Sequence, residues 1–237
     1  MISLICCYNK IDEYESMLNS LRKQNIEYEI IGLNNTNGQF KSAAKALNTG
    51  AQRANGDILV FLHQDIEFMN SNSLSNFTKI LKNNDDVIVG LFGSKYNKKE
   101  FNSKFNIVQT LDECIIAINK RIFERLKFNE ELCDNWHLYV VELCLRAKKN
   151  NIKILEIKDS SQILHKSIGN VNEKYMKDYL KIMKTYKDEN YIATTCKSMP
   201  NNILYYYCYF FIWKIKKCIF GNYPLMVKLK KIRGNKN

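Results

Sequence analysis

The sequence predicts an α/β fold: a mixed, mostly parallel, Rossmann-like sheet with helices on both faces, followed by a C-terminal helical extension. Three observations predict it. Residues 58–62, Ile-Leu-Val-Phe-Leu, form the unbroken apolar run expected of a strand buried on both faces of a parallel sheet. The first 62 residues alternate strand-like and helix-like apolar patterns in the order β-α-β-α-β. With 46% hydrophobic and 12% aromatic residues, 237 residues can build a large core, which excludes a disordered chain.

Residues 2–7 read as a buried first strand that stops at Tyr8-Asn9-Lys10. Asp12 is expected to cap a helix whose apolar face is Tyr14, Met17, Leu18 and Leu21. A second strand over residues 28–33 ends in the turn-forming run Asn34-Asn35-Thr36-Asn37-Gly38. Residues 42–54 form an alanine-rich helix, small enough to approach a sheet closely, and the strand at Ile58 follows at once. A helix over residues 74–82 and a strand over 87–92 extend the pattern, while residues 95–105 read as a loop or an edge hairpin. A strand at 115–118, helices at 120–126 and 136–149, a strand at 152–157 and a helix at 172–186 complete it. The expected division is a body over residues 1–170 and a helical, aromatic and basic extension over 171–237.

Eight cysteines include no CxxC pair, so no zinc or redox site is expected from them. The start Met1-Ile2-Ser3-Leu4-Ile5 has no basic leader region, and reduced, mostly buried thiols in a cytoplasmic protein are the expectation. Nine of the 36 basic residues lie after Glu189 and no acidic residue follows it, so most of the net charge of +12 belongs to the tail. There, residues 203–213 are apolar and aromatic, and Lys214-Ile215-Lys216-Lys217 follows. That run is short of the about 20 residues that span a bilayer. The stretch over 203–220 suits a helix at the anionic inner-leaflet surface of a membrane, and equally one docked on the protein itself or in a homodimer contact. No nucleic-acid-binding motif accompanies the charge, so no nucleic-acid partner is expected.

The strand at 58–62 ends abruptly in His63-Gln64-Asp65. Ligands of open α/β sheets bind at the C-terminal edge of the strands, which places Asp65 to meet a metal or a phosphate. A turn or helix-cap role is the competing reading.

Taken in order, Ser42-Ala43-Ala44-Lys45-Ala46-Leu47-Asn48-Thr49-Gly50, Asn55-Gly56-Asp57 and Phe61-Leu62-His63-Gln64-Asp65 resemble the family 2 glycosyltransferases of the GT-A fold. Members of that family show an ARNxG-like helix, a glycine-acid turn and a strand ending in DxD. His63 stands where that motif has its first aspartate, a variant similar to the bacterial subgroup with an HQD motif. The run Trp136-His137-Leu138-Tyr139-Val140-Val141-Glu142-Leu143-Cys144-Leu145-Arg146-Ala147 resembles the subgroup's helix after the acceptor site, and His165 matches the family's C-terminal histidine. The likeness covers about residues 1–170.

The resemblance implies an inverting, metal-dependent hexosyltransferase. It would move a sugar from a nucleotide-diphosphate donor, expected to be UDP-linked, to a glycan or lipid-linked glycan acceptor in surface polysaccharide or lipooligosaccharide synthesis. Asp65 and His165 would hold a divalent cation, Mn2+ or Mg2+, with the imidazole favouring Mn2+. Cys7, Tyr8, Asn9, Asn34 and Asn35 would face the nucleoside, Tyr8 by stacking. Lys45, Asn48, His63 and Gln64 would line the diphosphate. Each has a structural alternative: packing for Tyr8, turn formation for the asparagines, solvation for Lys45, a hydrogen-bonded imidazole for His63.

Tyr139 and Val140 occupy the place of the family's acidic pair, so Glu142 is the first candidate for the base that takes the acceptor proton, and Asp134 the second. Pairing of Glu142 with Arg146 and capping by Asp134 are the alternatives. Asp112, Glu113, Trp136 and His137 would contact the sugars. Two rival readings remain. A nucleotidyltransferase would carry a glycine- and arginine-rich loop where Tyr8-Asn9-Lys10 stands. A non-catalytic carbohydrate-binding or scaffold protein is the other, and the departures at His63 and Val140 point towards it.

Overall fold

The computed structural model describes residues 1–94, 99–167, 169 and 171–220. Strand β1 (Ile2–Tyr8) is buried along its first five residues and pairs in parallel with β2 (Tyr28–Asn34). Between them, α1 (Ile11–Leu21) turns Tyr14, Met17 and Leu21 inward. Asp12 does not cap this helix. Lys10 holds the cap position, and Asp12 lies in the first turn, where its charge complements the helix dipole.

Helix α2 (Ala43–Ala51) starts at Ser42, whose Oγ accepts from the Lys45 N–H at 3.3 Å. The fully buried β3 (Ile58–Leu62) follows, then β4 (Ile66–Phe68) and α3 (Ser73–Thr78), which tightens into a 3-10 turn over Lys79–Lys82. Next come β5 (Val87–Gly90), β6 (Gly93–Ser94), β7 (Lys99–Glu100), β8 (Phe105–Ile107), β9 (Thr110–Leu111) and β10 (Ile115–Asn119). Strands β7 and β8 pair antiparallel as an edge hairpin, and residues 95–98 of the expected loop lie outside the described residues. After α4 (Lys120–Leu126), α5 (Tyr139–Lys149) begins three residues later than the expected Trp136, because Leu138 takes a left-handed conformation with φ of 63°. Strands β11 (Lys153–Ile157) and β12 (Ile163–His165), helix α6 (Glu173–Thr185) and the small pair β13 (Tyr191–Ile192) and β14 (Met199–Pro200) follow.

The chain divides after Asn201 into two compact units, whereas the sequence suggests a change at residue 170. Helix α6 belongs to the first unit: the Tyr179 hydroxyl donates to Ile192 O at 2.6 Å, and Asn135 Nδ2 donates to Asp178 Oδ1 at 3.0 Å. The second unit contains α7 (Ile203–Phe220).

The main sheet runs β2-β1-β3-β10-β5-β11-β8-β7. Strands β1, β2 and β3 are mutually parallel, as are β5 and β11, while β10 is inserted antiparallel between β3 and β5. The sheet is therefore mixed and mostly parallel, with one core on each face. One holds Ala44, Leu47, Ile122, Val140 and Leu143 from α2, α4 and α5; the other holds Met17, Leu21, Leu74 and Phe77 from α1 and α3.

The small residues of α2 permit close contact with the sheet. A Cβ on Gly50 would stand 2.5 Å from Ile5 Cγ2 and 3.0 Å from Leu33 Cδ1. Gly50→Ala gains helix propensity but overpacks this contact, and a net destabilisation of about 1–2 kcal/mol is expected. A lower urea midpoint at unchanged slope is the expected reading; an unchanged midpoint contradicts it.

The entry to β3 is fixed from β2. Glu29 accepts from Ser3 Oγ at 2.5 Å, from Asn55 N at 2.6 Å and from Gly56 N at 3.2 Å. These bonds, Ser3's foremost, outweigh partial burial and hold the Glu29 carboxyl at about 2. A depressed carboxylate stabilises the fold above its unfolded value near 4.5 and loses that contribution as pH falls towards about 2. Glu29→Gln should therefore cost about 1 kcal/mol at pH 7, discounted for solvent screening, and progressively less below about pH 4.5. Melting curves of both proteins against pH test this: a gap that fails to narrow in acid contradicts it.

Candidate active site

The buried strand β3 delivers His63, Gln64 and Asp65 to the C-terminal edge of the sheet, where ligands of open α/β sheets bind. The antiparallel pair β4 and β12 then sets His165 opposite Ile66. His165 Nε2 lies 3.4 Å from Asp65 Oδ1, and the rings of His63 and His165 are centred 5.5 Å apart. One ligand atom from each of His63, Asp65 and His165 lies within 4.8 Å of the others. Asp112 and Cys114, in the turn before β10, also bring one ligand atom each within 4.8 Å of each other and of His165, and the His63 N–H donates to Cys114 O at 2.9 Å.

Charge at this edge is finely set. Burial resists ionisation of Asp65, which is 8% exposed, but hydrogen bonds from His165 and from the Ser167 N–H at 3.1 Å hold its carboxyl well below the usual range. Burial, and next the His165 charge, push the His63 pKa down, leaving a neutral imidazole. Burial works against a charge on His165 as well, yet its bond to Asp65 raises its pKa overall. With His165 deprotonated, two imidazoles and one ionised carboxylate form a donor set that fits a divalent cation of the Mn2+ type better than Mg2+.

The other sequence candidates separate into neighbours of this cluster and internal braces. Gln64 is a brace: its Oε1 accepts from the Asn9 and Lys10 N–H groups at 2.8 and 3.0 Å, and its Nε2 donates to Asn9 Oδ1 and Glu13 Oε2 at 3.1 Å each. Asn48 is buried and binds the Phe128 backbone through both amide atoms, so it ties α2 to the loop after α4 and does not face a diphosphate. Asn35 bonds the Phe40 backbone on both sides, and Asn34 Oδ1 accepts from the Thr36 N–H at 2.9 Å. Tyr8 stacks on Tyr14 with centroids 3.9 Å apart, a packing role. Burial pushes the Cys7 thiol up to about 12, so it stays protonated. Lys45 is exposed on α2.

Residues 3–102 match the model of a family described as "Glycosyltransferase like family". The match takes in less than half of the 237 residues. The match includes His63, Gln64 and Asp65 and ends before Asp112. Among solved structures the chain is similar to GalNAc-T7 with UDP, GalNAc and Mn2+, with a TM-score of 0.64 and 12% identity over 80% of this chain and 48% of that one. It is similar to the mannosyltransferase PcManGT from Pyrobaculum calidifontis in complex with GDP-Man and Mn2+, at 0.56 and 14% over 77% and 61%. It is also similar to residues 1–349 of S. aureus TarS, at 0.54 and 17% over 78% and 63%. At these identities the likeness shows the fold, which is the GT-A fold expected from the sequence. The chain spans 48–63% of the length of these three proteins. No curated protein matches it.

Glu142, on α5, is not presented to the cluster. It is 1% exposed, and Arg146 grips both of its oxygens at 3.0 and 2.8 Å while the Tyr186 hydroxyl donates to Oε1 at 2.7 Å. An acceptor hydroxyl has no access to it, which corrects its assignment as the base. Asp134 is exposed and bridged to Lys181 at 2.5 Å. Trp136 is 38% exposed, and His137 Nε2 is 3.0 Å from Asn172 Nδ2.

Asp112 does reach the cluster, and Glu113 lies beside Asp112. Asp112 Oδ1 accepts from the Cys114 N–H at 2.9 Å, and Thr195 Oγ1 donates to Oδ2. Glu113 lies against the Leu138 and Tyr139 N–H groups at the head of α5, and burial, then Asp112, push its pKa well up. Its Oε1 is buried with no hydrogen-bond partner among the described residues. Three members escaped the sequence reading: Cys114, Ser167 and Tyr139. The Tyr139 hydroxyl stands 3.4 Å from both His63 Nε2 and Glu113 O. Their proximity to Asp112, His165 and the α5 head along the chain was the available signal.

Proposed function

We propose that this protein transfers a sugar from a nucleoside diphosphate donor to a glycan acceptor, with a divalent cation at His63, Asp65 and His165. The observation that carries the reading is the convergence of those three side chains at the C-terminal end of β3 within a GT-A fold. The UDP- and GDP-sugar complexes and Mn2+ of the similar structures support the donor class and the cation. A cation bound there neutralises charge on the departing diphosphate. Asp65 supplies the anionic ligand, and the neutral His63 supplies a lone pair without losing a proton. Gln64 holds the loop after β1 against the cluster, which shapes the nucleoside side. UDP is the donor carrier we favour, with inversion at the anomeric carbon and Asp134 retained as the candidate base. A surface-polysaccharide or lipooligosaccharide precursor is the favoured acceptor.

A second reading has one specific observation behind it. With Glu142 locked by Arg146 and Val140 buried, α5 offers no open carboxylate, as expected of a protein that binds nucleotide sugars without turning them over. The test is a panel of UDP-, GDP-, CMP- and dTDP-sugars with Mn2+, read by thermal shift and by donor turnover. Stabilisation by one donor together with Mn2+-dependent turnover is expected. Stabilisation without turnover selects the second reading, and neither response from any donor overturns both.

A further inference from the structure

We propose that α7 is an interfacial anchor that lies lengthwise along an anionic phospholipid surface. The helix has 18 residues, hence a length of roughly 27 Å, and no helix among the described residues is long and apolar enough to cross a membrane. Tyr207 and Cys208 stand three and four residues after Leu204, and Phe211, Ile215 and Cys218 continue from Cys208 at steps of three, four and three, so the six form one stripe about 100° wide along the helix. All six are exposed; Leu204 is 74% and Phe211 65% accessible. Water is a poor solvent for so continuous an apolar stripe, and such patches mark a docking surface.

Charge selects the occupant. At about 100° per residue, Lys214 and Lys216 fall on opposite flanks of the stripe, where long side chains can reach outward beside a buried apolar face. Lys214 Nζ sits 4.9 Å over the Phe210 ring beside the stripe, whereas Lys217 Nζ and the half-buried Trp213 ring, 5.2 Å apart, lie on the far side of the helix. The helix carries no acidic residue, and none follows Glu189 anywhere in the sequence. A second copy of α7 therefore offers no opposite charge. A phosphate-bearing surface with an apolar layer beneath it offers both complements at once. This inference goes beyond sugar transfer and holds whether or not the chain turns donors over.

The test is sedimentation of the full chain with vesicles of phosphatidylcholine alone, or of phosphatidylcholine mixed with phosphatidylglycerol. Binding to the anionic vesicles, weaker by about tenfold or more on neutral ones, is expected. Phe211→Glu is expected to lower vesicle affinity by about tenfold or more, and joint replacement of Lys214, Lys216 and Lys217 by glutamine by about a hundredfold. All these side chains are on α7 and outside the β3 cluster, so far-UV circular dichroism and Mn2+ binding should be unchanged in each variant. Absence of vesicle binding overturns the proposal. Binding untouched by Phe211→Glu overturns it too, because it places the attraction elsewhere. Self-association of the full chain that Phe211→Glu abolishes, without vesicle binding, assigns the stripe to a second copy instead.

Discussion

Asp65→Ala is expected to lower donor turnover by about a thousandfold or more and to remove tight Mn2+ binding, while the protein stays folded. Asp65 is the sole anionic member of the trio with His63 and His165. Without it the trio keeps two imidazoles and no charge, and Asp112 near His165 remains as a carboxylate, a set that binds Mn2+ far more weakly. The structural cost is modest: the Ser167 N–H and His165 each lose one acceptor, about 1–2 kcal/mol in all against a stability of roughly 5–15. Asp65→Asn refines the point, because it keeps the size of the side chain and an acceptor but removes the charge. Calorimetric titration with Mn2+, initial rates with the best donor and a thermal melt together read the three consequences. A variant that keeps more than a tenth of the parent rate and its Mn2+ dependence sinks the assignment of the cluster.

The sheet was legible in the sequence for a simple reason. Strands such as Ile58–Leu62 are buried on both faces, so their apolar runs leave no ambiguity, and alanine and glycine in α2 announce a close helix–sheet contact. That Asp65 and His165 come together at 3.4 Å follows from the antiparallel pairing of β4 with β12, which no local pattern in the sequence announces. The polar residues were harder. Asn48 satisfies the backbone of Phe128, a partner 80 residues away, and nothing in its own neighbourhood distinguishes that duty from facing a ligand. Gln64 likewise serves two N–H groups of the loop after β1, 54 and 55 residues distant. The division after Asn201 differs from the break expected at residue 170 because the amphipathic α6 reads equally well as part of a body or of an extension. What settles it is Tyr179 and Asp178, whose partners come from other segments.

Glu142 shows the same limit and gives the largest stability effect expected here. Glu142→Ala should destabilise the protein by about 3–5 kcal/mol, because it strands Arg146 as a partly buried charge without its partner. At about 2–4 °C per kcal/mol for a unit of this size, the melting temperature should fall by roughly 10 °C. The guanidinium also donates to the Lys127 and Leu126 carbonyls at the end of α4, so the loss would loosen the contact between α4, α5 and the Tyr186 turn. Replacing both Glu142 and Arg146 by methionine removes the stranded charge and should recover a large part of that loss. A catalytic base behaves in the opposite way: Glu142→Gln would keep the fold and cut turnover by about 10²–10⁴. The geometry predicts a destabilised Glu142→Gln protein whose turnover per folded molecule stays within about threefold of the parent, since a residue gripped by Arg146 and Tyr186 cannot also receive a proton from an acceptor.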